Sequence, residues 1–258
     1  MTGKNSIVAC ILCGQFLFSF IAHSDDGVKV MDTAFEYTFS MQQRGEVMEE
    51  SVGISAESMD YSISPCNYRG IASWRIHWRL PLLEADYYIR RSDNVPLYSK
   101  RMNRALGHDV EIEYSLSADQ PHIYRRASES GVIERKIWNQ NLFDLGALPM
   151  LLATAATGEQ RNAKQIYFRS INYSNGKVYS IVARRTGFKL VSLQGKQVRC
   201  GVYSVNADSW LANFNHPATL FIPTTPGYGP FAAYDGPSPL GNGETVSIRE
   251  LAVKAALL

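Results

Sequence analysis

The chain lacks any large excess of charge. Its 258 residues include 26 Lys plus Arg and 24 Asp plus Glu, a formal net charge of +2. A balance that close gives no electrostatic footprint for nucleic acid or for an anionic membrane surface. The short motifs of common catalysis are also missing. There is no GxSxG, no HExxH and no Gly-rich phosphate loop between a strand and a helix. The five histidines are scattered, with none at a metal-ligand spacing. No metal, no cofactor and no enzyme activity are therefore expected.

Charge is absent from one stretch altogether. Lys4 is the only charged residue before Asp25, and Ile7 to Ala22 is apolar apart from Gly14, Gln15 and Ser19. Ala22-His23-Ser24 then offers small residues at the two positions a signal peptidase reads. This is the layout of a leader over residues 1–24, cleaved before Asp25. A retained anchor is the weaker reading, because the run falls short of the roughly 20 residues that span a bilayer. Residues 25–258 form one domain, exported to a periplasmic or extracellular space. Cleavage removes Cys10 and Cys13 and leaves Cys66 and Cys200. An even pair in an oxidising compartment predicts one disulfide, with two buried thiols as the alternative. Two cysteines so far apart, with no CxxC between them, do not suggest redox chemistry.

What remains is rich in strand-forming residues: 14 Tyr and 11 Phe, with 45% hydrophobic residues overall. Residues 70–80 alternate strictly. Ala72, Trp74, Ile76, Trp78 and Leu80 share one face, and Ser73, Arg75, His77 and Arg79 share the other. Period two over that length is a strand with one buried and one wet side. Asp109 to Tyr114 repeats the pattern. Further strands are expected at 29–40, 44–52, 84–91, 96–104, 122–127, 132–138, 164–173, 177–185, 188–193, 197–205, 218–222 and 245–252. Ser174-Asn175-Gly176 is a hairpin signal between two of them. Leu148 to Ala156 breaks the series: it is rich in Leu and Ala, with Pro149 in its first turn, and predicts a short helix. A helix apolar on nearly all sides must be buried. The fold expected is mostly β and antiparallel, a strongly curved sheet or partly open barrel wrapped on one short apolar helix. Pro223 to Gly243 is dense in Pro and Gly and reads as a long ordered loop.

Several side chains could carry function. Trp74, Trp78, Tyr87, Trp138 and Phe221 could line a pocket for an apolar ligand, although large aromatics more often fill a core. His216-Pro217, with the Pro/Gly loop, could gate such a pocket. Asp109, Glu111 and Glu113 form a carboxylate stripe, but basic residues on the neighbouring strands make a charge-paired outer face the simpler account. His77 between Arg75 and Arg79 likewise reads as outer surface.

The order of elements resembles a bacterial family of exported proteins, domain of unknown function 3108. The resemblance rests on the leader, the strand Glu84 to Arg90, the basic strand Tyr98 to Arg104, and Asp144-Leu145-Gly146-Ala147-Leu148-Pro149 opening a helix. It continues through the strands Lys177 to Arg185, Phe188 to Val205 and Thr245 to Leu251. It implies a periplasmic location and a sheet wrapped on a helix, similar to the lipoprotein-carrier folds of the cell envelope. It brings no catalytic residues. The expected function is a periplasmic or secreted carrier for an apolar ligand, such as a lipid or a lipoprotein acyl chain. The alternative is a non-catalytic structural or interaction module with an envelope protein as partner. Nucleic acid is not an expected partner.

Overall fold

The computed structural model describes residues 34–43, 57–104, 106–115, 122–127, 131–136, 142–157, 163–173, 176–193, 195–207, 217–225, 227–237 and 245–256. The leader, Trp138, His216 and the strand expected at 44–52 lie outside them. Eight strands come first: β1 (Ala34–Gln43), β2 (Glu57–Tyr68), β3 (Ile71–Leu80), β4 (Leu83–Arg90), β5 (Pro96–Asn103), β6 (His108–Ser115), β7 (His122–Ala127) and β8 (Gly131–Lys136). A 3-10 turn over Leu145–Ala147 leads into α1 (Leu148–Thr157). Six more strands follow: β9 (Gln165–Ile171), β10 (Val178–Leu193), β11 (Lys196–Ala207), β12 (Ala218–Pro223), β13 (Ala233–Pro237) and β14 (Thr245–Ala256).

All fourteen strands form one sheet in the order β8-β7-β6-β5-β4-β3-β2-β1-β14-β13-β12-β11-β10-β9. Every ladder is antiparallel. The sheet is two meanders sewn together where β1 pairs with β14. Its inner faces share one core. Tyr61, Ile76 and Ile112 from the first meander pack in the same cluster as Phe168, Tyr203 and Ile222 from the second. Only a sheet curled on itself brings these faces together, because successive side chains on a strand point to opposite sides.

The barrel is not closed. Between the end strands β8 and β9 no ladder forms among the described residues. Leu142 makes a single parallel bridge to Arg169, and Phe143 N donates to Arg169 O at 2.8 Å. The buried Arg125 on β7 reaches across with its Nε to Tyr173 O, 2.7 Å. The helix α1 lies against the inner side, with Leu148, Met150, Leu152 and Ala153 in the core cluster.

The alternation on β3 places Trp74 and Ile76 inside, at 4% and 0% exposure, with Arg75 and Arg79 exposed. Trp78 packs against the core but is only partly covered. Three differences from the sequence reading have local causes. The strand β2 was not anticipated, because Ser, Pro, Cys and Asn interrupt its apolar face; Met59, Tyr61 and Ile63 nevertheless all point inward. The segments 177–185 and 188–193 are one strand, β10, kinked by a register shift between Arg185 and Gly187. Pro223 to Gly243 is not all loop, since β13 lies inside it and Phe231 is buried in the core.

The expected disulfide is absent: neither Cys66 nor Cys200 is in a disulfide. Four strands stand between β2, which holds Cys66, and β11, which holds Cys200. Bridging needs Cα atoms within about 7 Å, and strands are spaced at about 4.8 Å.

Candidate functional site

The best-defined polar centre of the interior is built on Asp144, 1% exposed at the start of the 3-10 turn. Its Oδ1 accepts from Gly146 N at 2.9 Å, an N-cap that satisfies a helix-start donor. Tyr114 on β6 donates to Oδ2 at 2.6 Å. Tyr173, just beyond β9, donates to Oδ1 in a short hydrogen bond. Burial, then the neighbouring Asp144 carboxylate, pushes both tyrosine hydroxyls well above their usual range, so they remain donors. Tyr87 completes the hub from β4. A Cβ on Gly146 would sit 2.1 Å from its ring, so only glycine fits there. The hub thus ties α1 to three strands and to the seam of the barrel. Its function is structural, because the carboxylate is sealed from solvent.

The sequence-selected aromatics do not gather into one lining. Trp74 and Tyr87 are core residues and Trp78 packs against the same cluster. Phe221 belongs to a separate cluster with Leu193, Val198, Cys200, Ala232 and Ala233. That cluster lies on the opposite side of the sheet. Phe221 pairs with Val202, whereas Leu220 and Ile222 on either side of it face the main core. Trp138 lies outside the described residues.

The outer face of β2 to β7 is a field of cross-strand ion pairs. Arg75 Nε donates to Asp86 at 2.7 Å, and His77 Nδ1 stands 3.2 Å from the same carboxylate oxygen. Burial raises the Asp86 pKa, but the hydrogen bonds from His77 and Arg75 outweigh it and leave the group below its usual range. Lys100 Nζ is 3.3 Å from Glu111, which Arg126 also approaches at 3.8 Å. Arg69 pairs with Glu113. The carboxylate stripe of β6 is therefore engaged by bases, as cross-strand pairing predicts. His77, Glu84 and Asp86 bring ligand atoms within 4.8 Å of one another. The Arg75 guanidinium already supplies the positive charge that a cation would bring there. Above this field, Tyr68, Tyr88 and Tyr98 stack with centroids 4.6–6.0 Å apart. Partial burial and then Glu111 push the Tyr98 hydroxyl up to about 12. A groove of about 440 Å³ opens at the β3–β4 turn, lined by Asp60, Arg79, Glu84 and Arg104 among others. Its walls carry both signs of charge and do not suit an apolar ligand.

The second meander is different. Residues 160–207 hold nine of the Lys and Arg and none of the Asp and Glu. A net charge of +2 conceals this, because the rest of the chain holds 17 bases against 24 acids. The hairpin of β10 and β11 runs past β9, which pairs only with residues 178–184 of β10. One face of this projecting arm carries the Phe221 cluster. The other bears Phe188 and Leu190, 48% and 60% exposed. Arg199 lies over the Phe188 ring at 4.0 Å, and Arg185 at 5.2 Å. The acid-free run was legible in the sequence; averaging charge over the whole chain hid it.

No family model matches the chain, and no curated protein matches it. Among solved structures it is similar to the crystal structure of a beta-barrel-like protein of domain of unknown function DUF1849 from Brucella abortus. The TM-score is 0.55 and the identity 9%, over 88% of this chain and 99% of that chain. At that identity the likeness concerns the fold alone. It agrees with the mostly antiparallel, barrel-like architecture described above.

Proposed function

We propose that this protein is an exported, non-catalytic binding module of the cell envelope that meets its partner on the outside of a fixed barrel-like body. The observation that carries the reading is the Asp144 hub. It pins the start of α1 to β6 and to the seam with hydrogen bonds to a buried carboxylate, while Tyr87 of β4 packs against Gly146. Such bonds are each worth about 1.5–3 kcal/mol. A helix held that way is part of the core and not a lid that yields to a ligand. Export rests on the apolar run Ile7 to Ala22 and the small residues before Asp25.

Hydrogen exchange on the native protein tests this. The α1 amides are expected to exchange only on global unfolding, at the rate of the most protected β3 and β6 amides. Exchange of α1 through a separate local opening would overturn the fixed-body reading. Cell fractionation followed by N-terminal sequencing tests export. The expected result is an envelope species beginning at Asp25, and a cytosolic species beginning at Met1 would count against it.

A second reading, a carrier for an apolar ligand such as a lipid or acyl chain, is favoured by Tyr61 and Trp78. Their Oη and Nε1 atoms are buried with no hydrogen-bond partner among the described residues. Buried polar atoms of this kind are uncommon unless water or a ligand satisfies them. Mass spectrometry of lipid extracted from envelope-purified protein separates the two readings. A stoichiometric lipid would favour the carrier.

A further inference from the structure

We infer that the bare face of the β10–β11 arm docks on an anionic lipid surface; this rests on the binding-module reading and names its partner. Three features of the arm converge. Phe188 and Leu190 are large, apolar and about half exposed on a single face. Their register partners across the hairpin are Gly201, which has no side chain to cover Phe188, and Arg199, whose guanidinium lies over the Phe188 ring. Beyond residue 184 β9 no longer pairs with β10, which leaves that edge of the arm uncovered by β9. A paired apolar patch of this kind on the part of a strand that runs past its neighbour marks an interaction surface and not a scattered exposed residue.

The basic residues surround that patch. The Arg185 and Arg199 guanidinium groups lie over the Phe188 ring on the same face. Lys189 stands on the opposite face, over Phe221 at 5.6 Å, and Lys196 begins β11 beside the turn. Residues 160–207 contain no carboxylate of their own. A membrane interface offers apolar and anionic environments within a few ångströms of each other. It takes aromatic and aliphatic side chains to a shallow depth while flanking Lys and Arg meet the headgroups. Positive charge on both faces of the arm, and over 48 residues of chain, suits an extended charged plane better than one carboxylate on a protein. An acidic protein would additionally need an apolar socket for Leu190.

Sedimentation with vesicles tests the inference, using the full chain in the form the cell exports. The probes are vesicles of phosphatidylcholine with 30% phosphatidylglycerol, and of phosphatidylcholine alone. The expected result is binding to the anionic vesicles only, falling at least tenfold when salt is raised from about 0.1 M to about 0.5 M, as screening shortens the field. The double variant Phe188→Thr, Leu190→Thr should lose at least tenfold. The double variant Lys189→Gln, Arg199→Gln should lose roughly fivefold for each charge removed. Arg126→Gln, a basic residue 71% exposed on the first meander, should bind as the parent does. Melting curves confirm that each variant is folded. Equal binding to uncharged vesicles, or arm variants that bind like the parent, would overturn the inference. So would the absence of vesicle binding in a protein whose arm residues cross-link to an envelope protein. That last result would leave the fixed-body module standing with a protein partner in place of lipid.

Discussion

The two meanders share one core and differ in what they leave exposed. On the outer face of the first meander exposed charges meet opposite charges: Asp86 pairs with Arg75 and Glu111 with Lys100 on the neighbouring strand, and Glu113 pairs with Arg69 of the β2–β3 turn. On β9 to β11 the bases have no acid within the segment at all, and Phe188 and Leu190 lie open beside them. A charge-paired sheet face is a surface finished for water. A face with one sign of charge and bare apolar side chains is unfinished until something meets it. Cross-strand pairs are worth only about 0.2–1 kcal/mol each, so the contrast concerns partners more than stability. Whole-chain net charge averages the two regions to +2 and erases the contrast.

The shared core is where the largest effect is expected. Asp144→Ala removes the acceptor of Tyr114, Tyr173 and Gly146 N, leaving buried donors unmatched. The expected cost is about 3–5 kcal/mol, read from urea unfolding. A cost under about 1 kcal/mol would mean that α1 is not anchored through the hub. It would then remove the main distinction between a fixed interior and a variable exterior. Gly146→Ala comes next, at about 2–3 kcal/mol, because the new methyl would strike the Tyr87 ring. Tyr87→Leu in the Gly146→Ala background should recover part of that loss by making room. No recovery would place the defect elsewhere in the turn.

The first meander's paired surface gives a smaller, pH-dependent effect. The folded-state pKa of Asp86 lies below its ordinary value, since the hydrogen bonds of His77 and Arg75 overcome the opposing effect of burial. A depressed carboxylate contributes stability above its unfolded pKa, near 3.9, and loses it as pH falls through the folded value. Asp86→Asn should therefore be less stable than the parent at pH 7 and converge with it below about pH 4. Parallel stability curves from pH 7 down to pH 2.5 would show that Asp86 is unpaired in solution.

The fold was legible where one face of a strand was uniformly apolar. On β3, Trp74 and Ile76 alternate with Arg75, His77 and Arg79 without interruption, and the structure follows that register. The helix was legible because Leu and Ala without alternation have no place on a half-wet strand. β2 was hidden because its Ser, Pro and Asn carry turn-like chemistry, although Met59, Tyr61 and Ile63 keep period two. β13 was hidden by the Pro and Gly around it. The site residues were less legible for a geometric reason. Period two says which side a residue faces, but the curl of the sheet decides which residues meet. Phe221 lies on the opposite side of the sheet from Trp74 and Tyr87, and the strand order leaves four strands between Cys66 and Cys200. Asp144 passed unnoticed as a centre because its partners Tyr114 and Tyr173 are about 30 residues away on either side.

The smallest expected change makes the sharpest test of the interior. Tyr61 and Tyr114 are both tyrosines buried among the same residues. Tyr114 donates to Asp144, whereas the Tyr61 hydroxyl has no hydrogen-bond partner among the described residues. Burial pushes the Tyr61 hydroxyl far above its usual range, so it stays protonated and neutral. An unmatched buried hydroxyl is penalised by its lost hydration, about 1–3 kcal/mol in mutational series. Removing it leaves the ring contacts with Tyr37, Phe39, Trp78 and Phe231 in place. Tyr61→Phe should therefore leave stability unchanged or raise it by up to about 1 kcal/mol, while Tyr114→Phe should lower it by about 2 kcal/mol. Urea unfolding of both variants decides the matter. If Tyr61→Phe instead costs as much as Tyr114→Phe, the Tyr61 hydroxyl has a partner that is not among the described residues, and a water or the polar end of a ligand becomes a candidate. Lipid extraction and mass spectrometry of the same protein would then decide for the carrier reading if a ligand is found.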